Sequence, residues 1–254
     1  EILAGLRAIS TPSPESKALS TMMGRLITRT LLSMLRNQGG VNYIFARSQG
    51  IENAIRRELA QKPDGTIVEL AAGLSPRTLT IARAYPKATV VDVDQPDVVQ
   101  AKRERIISSR LSLPDNLHFL SADLGVERIL DRMNSQAADV TTAEGLTMYL
   151  DDEQFDFLLS NIYESLRPNG LFIGDVQSAP GIAEVMEHGG RIFSRQAGKY
   201  KTKFQDHDDV RQRFQKAGFT DVQIHLASSI AKANKLPQPV IDAGWLVSCR
   251  RPAE

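Results

Sequence analysis

Cysteine is nearly absent. Cys249 is the only one in 254 residues, which rules out an internal disulfide and a cysteine-cluster metal site. It lies in the apolar run GWLVSCR, where a buried, inert thiol is the expected state. Long apolar runs are lacking as well, and none approaches the roughly 20 residues that span a bilayer. The N-terminal stretch EILAGLRAISTPSPESK has no basic region followed by an apolar core, so no signal peptide is read there. A cytoplasmic protein with no membrane partner is expected. The chain opens on Glu1 and not on Met, as a trimmed chain or an excerpt of a longer one would. Neither sign of charge is in excess: 31 Lys and Arg stand against 30 Asp and Glu, a formal net charge of +1. That balance gives no electrostatic reason to expect nucleic acid. The basic residues of RSQGIENAIRREL and AKRERIISSR recur at helical spacing among acids and apolar residues, as solvated helix faces do.

What the chain does have is a change of rhythm. From Leu19 to about Leu59 the pattern is helical. LSTMMGRLITRTLLSMLRNQGG ends at a Gly pair, IENAIRREL resumes after Gly50, and STPSPES reads as an extended lead-in because each Pro disfavours helix just before it. From Thr66 strands and helices alternate. TIVEL and ATVVDV are short and β-branched, as strands buried on both faces should be; LHFLSA and ADVTTAEG are weaker candidates. DDEQFDFLLSNIYESLRPNG is a helix that Pro-Asn-Gly terminates, and LFIGDVQ is a fifth strand. After an irregular span, DHDDVRQRFQKAGF is a helix stopped by Gly218. TDVQIHLA and GWLVSCR close the chain with no helix between them, as an antiparallel hairpin. The expected fold is α/β: a seven-stranded, mostly parallel sheet with right-handed crossovers and a C-terminal antiparallel hairpin. Residues 1–60 would form an N-terminal helical cap and residues 61–254 a Rossmann-like cofactor domain, within one folding unit.

Glycine is scarce where a nucleotide loop would need it. VELAAGLSPR carries only Gly73, with Ala71 and Ser75 where further glycines would be expected. Ser75-Pro76 is a helix-start signature, which puts Gly73 at the carboxyl end of the first strand, where open α/β sheets bind ligands. A plain tight turn explains Gly73 equally well. About 20 residues on, the spacing at which an acid meets a ribose diol, TVVDVDQP supplies Asp92 and Asp94; acids capping a strand before a Pro turn are the alternative. Together these features favour a nucleoside without separating NAD from S-adenosylmethionine. The missing glycines disfavour a pyrophosphate site, so an NAD(P)-dependent oxidoreductase is the weaker alternative, and a non-catalytic scaffold of the same fold is another.

VELAAGLSPR, VDVDQPDVVQAK, SADL and AEGLTMYLDDEQ resemble, in order and spacing, the leucine carboxyl methyltransferase family, over roughly Asn42 to Gln177. The resemblance implies a Rossmann-like class I methyltransferase with S-adenosyl-L-methionine as cofactor. It also implies a set of cofactor residues. Gly73 would pass under the methionine moiety and Asp94 would hold the ribose diol, with Glu69, Ala71 and Gln95 as further cofactor contacts. Asp123 and Leu124 would meet the adenine, Glu144 the α-amino group and Arg47 the carboxylate, a bidentate task suited to guanidinium. On residue pattern alone, Asp123 reads equally as a helix cap, Glu144 as a solvated loop acid and Arg47 as a surface residue. Ser75-Pro76 replaces the family's usual Asp-Thr pair, and no counterpart is found to the elements that grip a protein C-terminus. The implied activity is therefore O-methylation of a carboxylate or hydroxyl on a small-molecule acceptor, free or carrier-bound, in secondary metabolism. Of the four histidines, His118 and His225 sit in strands and His207 at a helix start. Only His188 is placed to act as a base. The span SAPGIAEVMEHGGRIFSRQAGKYKTKF is expected to cover the acceptor, with Tyr149, Phe193 and Tyr200 as candidate contacts.

Overall fold

Strands buried on both faces need no polar alternation, and TIVEL is buried at all five positions, as the centre of a sheet requires. In the computed structural model, which describes residues 2–10, 12–34, 38–188 and 200–253, this segment is β1 (Thr66–Leu70). β2 (Thr89–Asp94), β3 (Leu117–Ser121), β4 (Ala138–Ala143) and β5 (Leu166–Gln177) run parallel to it. β6 (Thr220–Leu226) and β7 (Gly244–Arg250) pair antiparallel, and β7 lies between β5 and β6 in the order β3-β2-β1-β4-β5-β7-β6. The expected seven-stranded, mostly parallel sheet with its antiparallel C-terminal pair is thus present. The order reverses between β1 and β4, so the binding crevice of such a sheet lies at their carboxyl ends.

Among the described residues the helices are α1 (Ile2–Ser10), α2 (Pro14–Ala18), α3 (Met22–Met34), α4 (Gly39–Gln61), α5 (Arg77–Ala84), α6 (Pro96–Ser108), α7 (Ile129–Arg132), α8 (Asp152–Ser165), α9 (Ala179–His188), α10 (His207–Lys216) and α11 (Ala227–Ala233), with a 3₁₀ turn at Thr147–Tyr149. Period-two alternation divides the core. Val68 and Leu70 of β1 face a cluster with Phe155, Phe172 and Phe214, whereas Ile67 faces Ile51, Ile55 and Leu79 on the other side. Glu69 shares the face of Ile67, under α4 and α5.

Five local expectations are corrected. Pro168-Asn169-Gly170 does not terminate α8: the helix ends at Ser165, and β5 starts at Leu166 and includes all three residues. STPSPES is not wholly extended: Ser13 caps α2, its Oγ accepting from Ser16 N (3.0 Å) while Ser16 Oγ accepts from Ser13 N (2.9 Å). The Gly39-Gly40 pair opens α4 and does not end α3, and α4 continues through Gly50. Gly50 marks a close approach, since a Cβ there would lie 2.6 Å from Leu246 Cδ2 and 2.9 Å from Ile230 Cδ1. The pairing of β6 with β7 is as expected, but α11 intervenes, held by Ser228 donating to Asp242 (Oγ–Oδ2 2.6 Å). The span after β5 begins with a helix, α9, which buries Ile182 and Val185. Among the described residues, no helix is long and apolar enough to cross a membrane.

Candidate functional site

The chain leaves β1 through a left-handed bend. Ala71 (φ +50°) and Gly73 (φ +53°) both adopt the conformation that glycine tolerates and other residues resist. Ala72 N donates to Val93 O (3.2 Å), which ties the loop to β2. Gly73 N donates to Asp94 Oδ2 (2.7 Å), and Gln95 N to Asp94 Oδ1 (2.8 Å). The spacing that suggested a shared ligand is thus a direct contact: the loop and the acid of β2 hold each other. Burial raises the pKa of Asp94, the two backbone donors opposing it. A carboxylate bonded once at each oxygen keeps acceptor capacity for two more donors, as a ribose diol needs. A Cβ on Gly73 would meet only Ala71 O, at 3.9 Å, so the space over the loop admits a ligand. Gln95 is exposed at the N-cap of α6.

Asp123 follows β3 and is brought beside β2 by Ala122 N donating to Asp94 O (3.0 Å). Its Oδ1 accepts from Gly125 N (2.9 Å), the local capping geometry, and its side chain is exposed at the crevice edge beside buried Leu124. Asp92, the other acid of TVVDVDQP, is fully buried: Thr78 Oγ1 donates to its Oδ2 (2.6 Å) and Lys102 Nζ pairs with the same oxygen. It braces α5 and α6 on the sheet and does not reach the edge.

The largest feature at the crevice is a buried charge cluster around Glu144, just beyond β4. Its side chain is 4% exposed. Oε1 accepts from Arg7 Nη2 (3.1 Å) and from Arg47 Nε and Nη2 (both 3.2 Å), and Oε2 pairs with Arg77 Nη2. Arg77 also binds Glu69 (Nη1–Oε1 2.9 Å) and Ser48 Oγ (2.7 Å). Arg47 binds Asp175 of β5 (Nη1–Oδ2 2.7 Å), whose Oδ1 accepts from Gly145 N (2.6 Å). Three carboxylates and three guanidiniums balance in charge, which is how so many ions can be buried together. Burial alone would raise the pKa of Glu144, but Arg77, Arg7 and Arg47 outweigh it and hold the carboxyl far below its usual range. For Glu69 and Asp175 burial wins, and both are raised.

The structure therefore brings Arg47, Glu69 and Glu144 into one network, and Gly73, Asp94 and Gln95 into another beside it. Arg47 is not a surface residue and Glu144 is not a solvated loop acid. Sequence reasoning missed Arg7, Arg77 and Asp175. Arg77 carried a signal, because a cation in the first turn of a helix opposes the helix dipole unless an acid neutralises it. Tyr149 and Tyr200 meet edge to face, their ring centroids 5.9 Å apart. Phe193 lies outside the described residues, as does the side chain of His188, whose backbone ends α9. The other histidines are placed structurally: His225 contacts Ser248 Oγ (3.0 Å) and His207 packs edge-on against Trp245 (4.6 Å), while His118 sits in β3.

With this geometry in place, the comparisons with known proteins decide the family. A family profile described as leucine carboxyl methyltransferase matches residues 16–163, more than half of the chain and all of the loops above up to β4 and α8. The chain belongs to the leucine carboxyl methyltransferase family. S-adenosylmethionine is the cofactor that goes with this membership, and the open space over Gly73 and the remaining capacity of Asp94 fit it. The tetracenomycin polyketide synthesis O-methyltransferase TcmP of Streptomyces glaucescens is 30% identical over 131 residues, covering 51% of this chain and 45% of that protein. YktD of Bacillus subtilis (strain 168) is 23% identical over 153 residues, 57% of this chain and 50% of its own. The chain thus spans about half the length of the curated relatives it matches. Among solved structures, the methyltransferase SibL superposes with TM-score 0.55 at 16% identity, covering 94% of this chain and 62% of that one. Human N-acetylserotonin methyltransferase in complex with SAM gives 0.53 at 14%, covering 98% and 59%. At those identities the structural likeness shows the fold alone.

Proposed function

We propose that the chain is an S-adenosylmethionine-dependent methyltransferase that O-methylates a carboxylate of a small-molecule acceptor. The observation that carries this reading is the hydrogen bond between Gly73 and Asp94 at the switch point of the sheet, in a chain of this family. In this reading Asp94 holds the ribose hydroxyls, Gly73 leaves room for the methionine moiety, and the Arg47–Glu144 cluster meets its charged end. The cofactor supplies an electrophilic methyl group on a sulfonium sulfur. The protein's share is to align an acceptor oxygen and to exclude water.

The choice of a carboxylate rests on the chemistry of the described residues around the cluster. Glu144 is locked as an anion by three guanidiniums and is a weak base, while Glu69 and Asp175, raised by burial, are enclosed and bonded to Arg77 and Arg47. Tyr200 is pushed up to about 12 by burial and by Tyr149, so its hydroxyl stays protonated near neutrality. A hydroxyl acceptor would benefit from a base; a carboxylate arrives ionised and needs none. TcmP, named for O-methylation in polyketide synthesis, supports a small-molecule acceptor.

The test is transfer from methyl-labelled cofactor to pooled small carboxylic acids and phenols. Label released by mild alkali as methanol is expected, as from an ester. Label held in an alkali-stable ether would reject the carboxylate, and labelling only of peptides ending in a free carboxyl group would reject the small molecule.

A further inference from the structure

Tyr149 and Tyr200 meet edge to face at the end of the sheet that carries the charge cluster. Tyr149 lies in the 3₁₀ turn that follows Glu144, between buried Met148 and Leu150, yet it is itself 45% exposed. Tyr200 packs against the cluster that includes Tyr43 and Ala46 of α4 and Ile182 and Val185 of α9. Arg47, which pairs with Asp175, lies over the Tyr43 ring of that same cluster, 5.4 Å from its centroid. The two rings stand at 85° to each other, a face against an edge.

Backbone contacts make this corner rigid. Lys201 N donates to Met148 O (2.9 Å) and Thr202 Oγ1 to Leu150 O (2.6 Å), so the segment carrying Tyr200 is tied on both sides of Tyr149. The segment is tied again to the end of β5, where Phe204 N donates to Gln177 O (2.9 Å) and Ala179 N to Phe204 O (2.8 Å). These bonds hold the backbone next to each ring in place.

We infer that Tyr149 and Tyr200 form the acceptor subsite and select a planar, conjugated acid, whose ring lies in the aromatic corner while its carboxylate points toward the charge cluster. The inference rests on the methyltransferase reading above. A flat π-system can complete the edge-to-face arrangement that the two tyrosines begin, and ring quadrupoles reward this beyond the area buried. A saturated ring of the same size gains burial but not that term. The protonated Tyr200 hydroxyl is a hydrogen-bond donor, suited to an anionic oxygen.

The experiment is calorimetry on the protein loaded with S-adenosylhomocysteine, titrated with 2-naphthoate and, separately, with its fully saturated analogue, decahydro-2-naphthoate. Tighter binding of 2-naphthoate is expected. Tyr149→Leu and Tyr200→Leu should each weaken it, by roughly 2- to 10-fold from the usual worth of one aromatic pair, and leave the saturated acid and S-adenosylhomocysteine unaffected. Tyr149→Phe should keep the preference. Tyr149 is exposed enough that its variants will fold, and unchanged S-adenosylhomocysteine affinity checks this. Equal binding of the two acids, equal loss of both in the Leu variants, or binding of neither acid to the loaded protein would overturn the inference while leaving the cofactor reading intact. Failure of the parent protein to bind S-adenosylhomocysteine at all would overturn both.

Discussion

Replacing Glu144 by Gln removes one charge and leaves three guanidiniums facing two carboxylates in a buried space. Breaking a buried ion pair from one side costs about 3–5 kcal/mol, because the remaining ion keeps its desolvation penalty. A glutamine oxygen at the Oε1 position can still accept from Arg47 and Arg7, now without the charge, but Arg77 loses its partner at Oε2 and faces an amide NH₂ instead. A loss of about 3–5 kcal/mol at pH 7 is therefore expected, or about 6–20 °C in Tm for a chain of this size. The pH dependence sharpens the test. The pKa of Glu144 is held far below its unfolded value, so its contribution is fully present above about pH 4.5 and declines as pH falls toward the folded value. Urea denaturation of the parent and of Glu144→Gln from pH 8 to pH 3.5 should show a constant gap down to about pH 5, narrowing below that. A gap under about 1 kcal/mol at pH 7, or one that widens as the solution is acidified, would refute the reasoning.

Asp94→Ala and Asp92→Ala should separate binding from folding. On the proposed reading the first removes the group that holds the ribose and should weaken S-adenosylhomocysteine by about 1.5–3 kcal/mol, the worth of hydrogen bonds to a charged group. The second strands buried Lys102 and should cost about 3–5 kcal/mol of stability, and chemical denaturation with calorimetry on the same samples reads both. Gly73→Ala should lose about 1–2 kcal/mol of stability from its left-handed backbone without a steric clash; if cofactor passes over this residue, affinity should fall at least about tenfold as well, and strain alone would leave it unchanged. Ala71→Gly should do the reverse, raising stability by up to about 1 kcal/mol once the added freedom of the unfolded chain is subtracted from the relieved strain, as a shift in denaturation midpoint would show.

The strands were legible because burial on both faces leaves β-branched runs such as TIVEL and TVVDVD, a local signal. The Gly73–Asp94 pair was legible for the same reason: a βαβ unit fixes the distance along the chain between a loop and the next strand's tip. The features that were not legible depend on partners far away in sequence. Gly50 looked like a break, yet it is a contact point with Leu246 and Ile230, and nothing near it in the chain says so. Arg7 and Asp175 become site residues only when α1 and β5 fold onto Glu144 and Arg47. Asp92 and Asp94 are two residues apart on one strand face, and only the packing of Lys102 of α6 tells the brace from the acid that meets the loop. α11 was hidden because a seven-residue helix has little propensity of its own, and Asp242 holds its first turn from outside.

The central claim is that the crevice between β1 and β4 takes S-adenosylmethionine and not a dinucleotide. Thermal shift of the parent protein with S-adenosylhomocysteine, NAD and NADP, each at saturating concentration, tests it in one plate. Ligand at about 100 times its Kd stabilises by about 2.7 kcal/mol, so S-adenosylhomocysteine should raise Tm by about 5–10 °C at the 2–4 °C per kcal/mol of a chain this size. NAD and NADP should leave it unmoved, and Asp94→Ala should abolish most of the rise. A rise with NAD or NADP and none with S-adenosylhomocysteine would contradict the account.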